Sequence, residues 1–369
     1  MASIGLCMIV RNEAPVLERC LASALPLIDY ACIVDTGSDD DTEAVARRFF
    51  QKHSIDCDVY RDTWRDFASN RNLAIEWTRR RKDVDYCLVL DAHDVIHVDA
   101  AFDARRFKEQ MWFDVYDVRF RHGDTEHRRP ALFETRLGCY YRGKVHEFLV
   151  LPAQVTRSDV DGFHLHTVQD GAHHRDPEKY LDDARVIEQA MQEETDPFML
   201  SRYSFYLGQC YMRGGDLKRA IRAFYMRVRY GGWEQELFVS LLCIARIMVQ
   251  LGYREERVMH AYLQAWAACP KRAEPLHDLA VYARKKHQFH WARLFAGQGM
   301  QLSKPTEGLA IESDVYAYKL MDEYAIAAYG CGDYPASLDA CTHLLKAQAL
   351  PGAERERVVG NASIALAHL

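Results

Sequence analysis

Hydrophobic and polar positions follow two different grammars along this chain. From residue 3 to about 95, short apolar runs alternate with stretches of helical period. Ile4–Val10, Ala31–Val34, Cys57–Tyr60 and Tyr86–Leu90 predict strands, and residues 15–25, 42–50 and 67–80 predict helices between them. Strands alternating with helices imply βαβ units and a parallel sheet. Ligands of such open sheets settle beyond the carboxyl ends of the strands. Asp35 and Asp91 both close apolar runs, so both are expected there.

After about residue 176 the strand signals stop and a helical repeat begins. Leu207-Gly208, Tyr211, Gly215, Ala220 and Phe224 have the spacing of a tetratricopeptide helical hairpin. Related patterns recur through Pro270, Pro305 and Pro351. Gly215, Gly252, His287 and Gly332 occupy the predicted turns. The expected division is therefore an α/β domain over 1–175 and an all-α repeat domain over 176–369.

Composition narrows the partners. The chain has 369 residues and a net charge of −6. Residues 1–175 hold 24 Lys+Arg against 29 Asp+Glu, and the remainder holds 23 against 24. Neither half is basic throughout, so any nucleic-acid surface has to be local. The 11 cysteines are scattered without a CxxC pair, which predicts neither a zinc site nor a disulfide framework. Free cysteines among apolar residues, no signal-peptide pattern and no apolar run long enough for a membrane span together lead to the expectation of a cytoplasmic protein.

The candidate chemistry lies at the strand ends. Arg11-Asn12-Glu13 follow the first strand directly, where polar groups face a ligand or simply begin a helix. Asp35 opens the turn Asp35-Thr36-Gly37-Ser38 and can accept hydrogen bonds from a base or ribose. Arg71 stands on the helix of "DFASNRN", and a guanidinium there matches a diphosphate or a surface acid. Asp91-Ala92-His93-Asp94 ends the fourth strand. Asp91 and His93 are two residues apart, so in extended chain they point to one side and can converge on a cation. Four Asp-x-Asp pairs occur elsewhere, at Asp39/Asp41, Asp56/Asp58, Asp83/Asp85 and Asp159/Asp161, but none follows the fourth strand. Position, not the bare motif, carries the reading.

In this order, "LCMIVRNE", "IVDTGSDDDT", "DFASNRN" and "LDAHD" resemble the GT-A fold glycosyltransferases of family 2. The helical half is similar to the tetratricopeptide extension of one branch of that family. The resemblance implies a GT-A (Rossmann-like) nucleotide-sugar domain followed by an all-α tetratricopeptide-like repeat domain, acting as a metal-dependent, inverting, hexosyltransferase-like enzyme. It implies Val10, Arg11 and Glu13 against the donor nucleotide (a UDP-sugar), Asp35 at its base or ribose, Arg71 at the diphosphate and Asp91 as first acid of the metal motif. His93 stands where most relatives carry Asp, which shifts preference toward Mn²⁺ over Mg²⁺. "YYRGKVHEFL" resembles the branch's acceptor-side segment and makes His146 and Glu147, with Asp94, the candidate bases. His164 and His166 alternate on one strand face, and a late histidine of this kind, His166 before His164, is expected to complete the metal shell.

The acceptor stays open between a peptide side chain and a hydroxymethylated DNA base, both found among relatives of this branch, and a surface or cell-wall saccharide. Arg119–Lys144 holds seven Lys+Arg against three acids, with His122, His127 and His146 nearby. That composition suits a phosphate backbone, and equally a solvated loop, the reading preferred. Two rival functions share these features: a nucleotidyltransferase on the same sheet, and an inactive tetratricopeptide scaffold in which His93 has abolished catalysis.

Overall fold

The computed structural model describes residues 1–122, 125–168, 170–171 and 178–369, the side chains of 122, 125 and 126 excepted. The chain forms two compact units, Met1–Glu193 and Glu194–Leu369. The boundary expected at 175/176 lies outside the described residues. The helix Lys179–Glu193 groups with the first unit.

The first unit begins β1 (Ile4–Val10), α1 (Ala14–Ala24), β2 (Tyr30–Asp35), α2 (Thr42–His53), β3 (Asp56–Arg61), α3 (Phe67–Arg79) and β4 (Tyr86–Val89). Every residue of β1, β2 and β4 is buried. Runs that are apolar throughout belong in a parallel sheet covered on both faces. These strands lie in the order β3-β2-β1-β4, all parallel. The carboxyl ends of β1, β2 and β4 therefore come out on one edge, with Val10 opposite Asp35.

Seven further strands extend this sheet or pair beside it, and of these the sequence pattern revealed only the one that carries His164 and His166. β5 (Asp94–Val98), α4 (Ala104–Glu109), β6 (Val115–His122), β7 (Thr125–Glu134), β8 (Tyr140–Arg142), β9 (Phe148–Val150), β10 (Arg157–Asp159) and β11 (Phe163–Thr167) complete the unit. The sheet continues β4-β7-β6-β11-β5, with β10 beside β6, while β8 and β9 pair separately. β7 runs antiparallel to β4 and β6, and β11 antiparallel to β5. The result is the mixed sheet of the expected GT-A domain. Most of the basic segment is strand: Arg119, Arg121, Arg128 and Arg129 sit on β6 and β7, so the solvated-loop reading is replaced by a strand pair.

The helical unit contains α6 (Pro197–Arg213), α7 (Leu217–Tyr230), α8 (Glu234–Gln250), α9 (Glu255–Ala268), α10 (Glu274–Lys285), α11 (Phe289–Met300), α12 (Leu320–Gly330), α13 (Tyr334–Lys346) and α14 (Gly352–Leu366); Lys179–Glu193 is α5. All four predicted turn residues have left-handed backbone: Gly215 at φ 81°, Gly252 at 68°, His287 at 60° and Gly332 at 78°. At Gly215 and Gly332 the next residue caps the following helix. Asp216 accepts the Arg219 N–H at 3.0 Å and Asp333 the Ala336 N–H at 3.2 Å. A residue that reverses the chain and one that satisfies the orphan amides thus act together.

Within the first hairpin, a Cβ added to Gly208 would stand 2.7 Å from the Phe224 ring, and Phe224 is fully buried. Gly208→Ala should therefore push α6 and α7 apart and cost about 1–3 kcal/mol, lowering the melting transition of the helical unit. An unchanged transition would show that the ring yields freely.

Candidate functional site

The loop after β1 and the turn after β2 are knitted together. The Asn12 N–H donates to Ser38 Oγ at 3.0 Å, Asn12 Oδ1 accepts the Asp39 N–H at 3.0 Å, and the Glu13 N–H donates to Thr42 Oγ1 at 2.8 Å. Asn12 takes a left-handed conformation (φ 56°), which asparagine tolerates well. Asp35 turns back on its own turn, its Oδ1 accepting from the Gly37 and Ser38 N–H groups at 3.0 and 2.8 Å. Val10, Glu13 and Asp35 are buried, while Arg11 is exposed. The structure thus gathers Val10, Arg11, Glu13 and Asp35 at the ends of two adjacent strands.

Beside them lies a buried charge cluster. Arg71, 7% exposed, donates from Nη2 to Asp91 Oδ1 and from Nε to Glu147 Oε1, both at 2.6 Å. Asp91 and Glu147, 20 and 76 positions along the chain from Arg71, thereby share one guanidinium. The planar fork of arginine suits it to bridge two carboxylates. Its cationic carbon also lies 5.6 Å from the centre of the Tyr141 ring. Burial works against the charge on Asp91, but Arg71, with His93 and Arg129, holds its carboxyl well below the usual range. Nη1 of Arg71, Oδ2 of Asp91 and Oε2 of Glu147 make no hydrogen bond among the described residues.

Asn72, on the same helix, fixes the acceptor-side segment. Its Nδ2 donates to Tyr141 O at 2.8 Å and its Oδ1 accepts the Tyr141 N–H at 2.6 Å. This clamp holds β8 against α3 a few residues before His146 and Glu147. His146 takes a left-handed backbone (φ 54°), an uncommon state for a residue with a Cβ. The strained turn brings Glu147 back under Arg71.

Asp94 is placed differently. It is fully buried, its Oδ1 accepting from the Thr167 hydroxyl at 2.7 Å and its Oδ2 from the Asp91 N–H at 3.1 Å. Burial and the neighbouring Asp91 charge raise its pKa. Arg129 Nη2 lies 3.8 Å from Oδ2. Asp94 therefore sets the turn that carries Asp91 and His93.

His164 and His166 share one side of β11 with His97 of β5. The His97 ring stacks on His164 at 5.4 Å between centroids and meets His166 edge-on at 5.8 Å. Arg121 Nη1 lies 3.2 Å from His164 Nε2. Burial, Arg121 and His97 all lower the His164 pKa.

Metal fit turns on the donor set. Asp91 offers an ionised carboxylate with one oxygen unclaimed, and His93 offers an imidazole two residues on. A Cβ added to Gly171 would stand 3.0 Å from His93 Nδ1 and 3.2 Å from Glu13 Oε1. Glycine there leaves His93 and Glu13 facing a common space. Carboxylate and imidazole suit a divalent transition metal. Among the described residues no group of three or more His, Cys, Asp or Glu side chains converges as a complete ligand cage, so donor phosphate and water would have to fill the shell.

Thr167, Tyr141, Arg129 and Gly171 escaped the sequence reading. Each acts through a pairing between distant segments, such as Thr167 opposite Asp94 in the β5–β11 register. No local signal marks them.

Arg71→Met should leave the half-buried Asp91 and Glu147 without their countercharge, costing about 3 kcal/mol. Hydrogen exchange of the β1 and β4 amides reads the N-terminal unit separately. Loss of protection there, partly restored by Arg71→Lys, is the expected result.

Comparison with known proteins gives these arrangements a family. A TPR repeat-containing protein of Synechococcus elongatus is 26% identical over 304 residues, covering 78% of this chain and 71% of that one. The S. aureus TarS 1-349 structure in complex with UDP-GlcNAc aligns over 84% of this chain and 95% of its own, at 13% identity and a TM-score of 0.35. A tetratricopeptide repeat protein from Parabacteroides merdae aligns over 52% and 71%, at 15% identity and a TM-score of 0.36. Those two structural likenesses are too slight to bear on chemistry. Residues 6–154 match the model described as Glycosyl transferase family 2. That span runs from within β1 past the His146–Glu147 turn, so the N-terminal unit is a glycosyl transferase family 2 domain and the chain is a glycosyltransferase.

Proposed function

We propose that this domain transfers a sugar from a UDP-linked donor to a macromolecular acceptor, a peptide side chain or a hydroxymethylated DNA base, with inversion at the anomeric carbon. The observation that carries this reading is the convergence of Arg71, Asp91 and Glu147 at the strand ends that also present Arg11 and Asp35. Val10, Glu13 and Asp35 form the nucleotide end. Nε and Nη2 of Arg71 are spent on acids, so its part is to position Asp91 and Glu147 and to offer Nη1 to the diphosphate.

Asp91 and His93 would hold Mn²⁺ or Mg²⁺, which when bound offsets the charge gathering on the leaving diphosphate. His166, with His164, lies on the neighbouring strand and is the reserve ligand. The acceptor oxygen or sulfur attacks the anomeric carbon, the bond to the diphosphate breaks, and its electron pair leaves with the phosphate oxygen. Glu147 takes the acceptor proton, because its Oε2 is unclaimed while Oε1 is anchored. His146 orients the acceptor. Asp94, with both oxygens engaged and no exposure, is assigned to the turn instead of to proton transfer. Nine of the eleven cysteines are buried, as small apolar side chains are, which supports a reducing, cytoplasmic setting. No helix among the described residues is long and apolar enough to cross a membrane.

The test is thermal stabilisation by UDP- and GDP-sugars with Mn²⁺, Mg²⁺ or EDTA, together with slow donor hydrolysis. One donor at a hundredfold its Kd should add about 2.7 kcal/mol. The gain should vanish in Asp91→Ala and shrink in His93→Ala, and Glu147→Gln should retain binding while losing transfer. Release of a transferred nucleotide in place of a sugar would establish a nucleotidyltransferase. Failure of every donor with every metal would leave the helical unit as a binding scaffold.

A further inference from the structure

Between α7 and α9 the helical unit opens into a cavity of about 630 Å³. Lys218, Arg222 and Tyr225 stand at intervals of four and three residues along α7, so they share one face. Arg257 and His260 face them from α9. The floor is apolar, with Ile221 and Met248 buried at 6% and 7% exposure. Among the described residues no acid lines the space.

Many arginines of the unit are paired with acids. Arg219 pairs with Asp216, Arg227 with Glu236, Arg246 with Asp278 and Glu312, Arg272 with Glu274 and Arg284 with Glu323. The side chains of Lys218, Arg222 and Arg257 make no ion pair or hydrogen bond among the described residues. Asp216 feels the Arg222 charge, but its carboxylate is already bonded to Arg219. Three like charges around an apolar floor repel one another, and an anionic occupant relieves that repulsion.

We propose that this groove docks an acidic peptide segment, its carboxylates meeting Lys218, Arg222 and Arg257 while an apolar side chain between them fills the floor. Tyr225 and Tyr253, 44% and 37% exposed, supply the amphipathic walls. Charge distribution favours a peptide over nucleic acid. Residues 194–369 hold 21 Lys+Arg against 18 Asp+Glu, a net of +3, so no extended basic track accompanies the groove. Cations confined to one cavity suit a few carboxylates held by a short segment. The proposal does not depend on the transferase reading, since every residue it uses belongs to the helical unit.

The experiment measures fluorescence anisotropy of a labelled random copolymer of glutamate and leucine added to the full chain. Saturable binding that weakens with salt is expected. Arg222→Gln/Arg257→Gln should weaken it about tenfold, equivalent to about 1.4 kcal/mol. Lys304→Gln/Lys346→Gln, outside the groove, should leave it unchanged. Tyr225→Ala/Tyr253→Ala should weaken it without altering the salt dependence. All these substitutions are at residues outside the core, and circular dichroism checks that the helices persist. The proposal falls if the groove variant binds as the parent does, if no saturable binding is seen, or if a glutamine–leucine copolymer binds equally. Displacement by single-stranded DNA at lower concentration than by polyglutamate would overturn it in favour of a nucleic-acid site.

Discussion

The N-terminal unit depends on one guanidinium shared by two acids. Arg71 is buried, and burying it without partners would cost several kcal/mol. Asp91 and Glu147 remove that penalty, and each is held in place by doing so. The ion pairs therefore do more for arrangement than for net stability. They bind the end of β4 to the segment before β9 through a helix that belongs to neither. Glu147 can lie near Asp91 only because the cation between them screens two like charges.

Around that cluster the polar groups are satisfied by pairs drawn from distant chain. Asn72 exchanges two hydrogen bonds with Tyr141, and Asp94 closes the turn through the Asp91 amide and the Thr167 hydroxyl. Glycine at 171 lets the chain pass close to His93 and Glu13. The strand ends thus present some groups to solvent and lock others inward. Position in the motif does not separate the two sets: Asp91 and Asp94 are three residues apart, yet one retains an unclaimed oxygen and the other has none.

The helical unit uses charge differently. Most of its partly buried arginines are neutralised by acids, several of them on the next helix but one, as in Arg246 with Asp278 and Arg284 with Glu323, so hairpins are tied to one another as well as packed. Where α7 and α9 face one another that neutralisation is missing. An apolar floor and unpaired cations then coexist, a combination that packing alone does not require.

The αβ alternation, the four parallel strands and the helical repeat were all legible in the chain, because each rests on local periodicity. Residues 4–10 are apolar without a break, and only a strand covered on both faces suits them. His287 was legible as a turn even without glycine, since its place in the repeat requires the reversed backbone it adopts. Asp35 and Asp91 were found by the same logic, as acids that end buried strands. Apart from the strand of His164 and His166, the sequence did not disclose the strands after residue 94, whose pattern is broken by short loops and arginines. It also left open which charged residue would pair with which. Arg71 could equally have faced solvent, a phosphate or an acid; the register of β4 and the turn at His146 decided in favour of two acids. Local pattern fixes an element because hydrophobic burial follows its period, whereas the partner of a buried charge is decided by whichever distant groups the completed sheet brings within hydrogen-bonding reach.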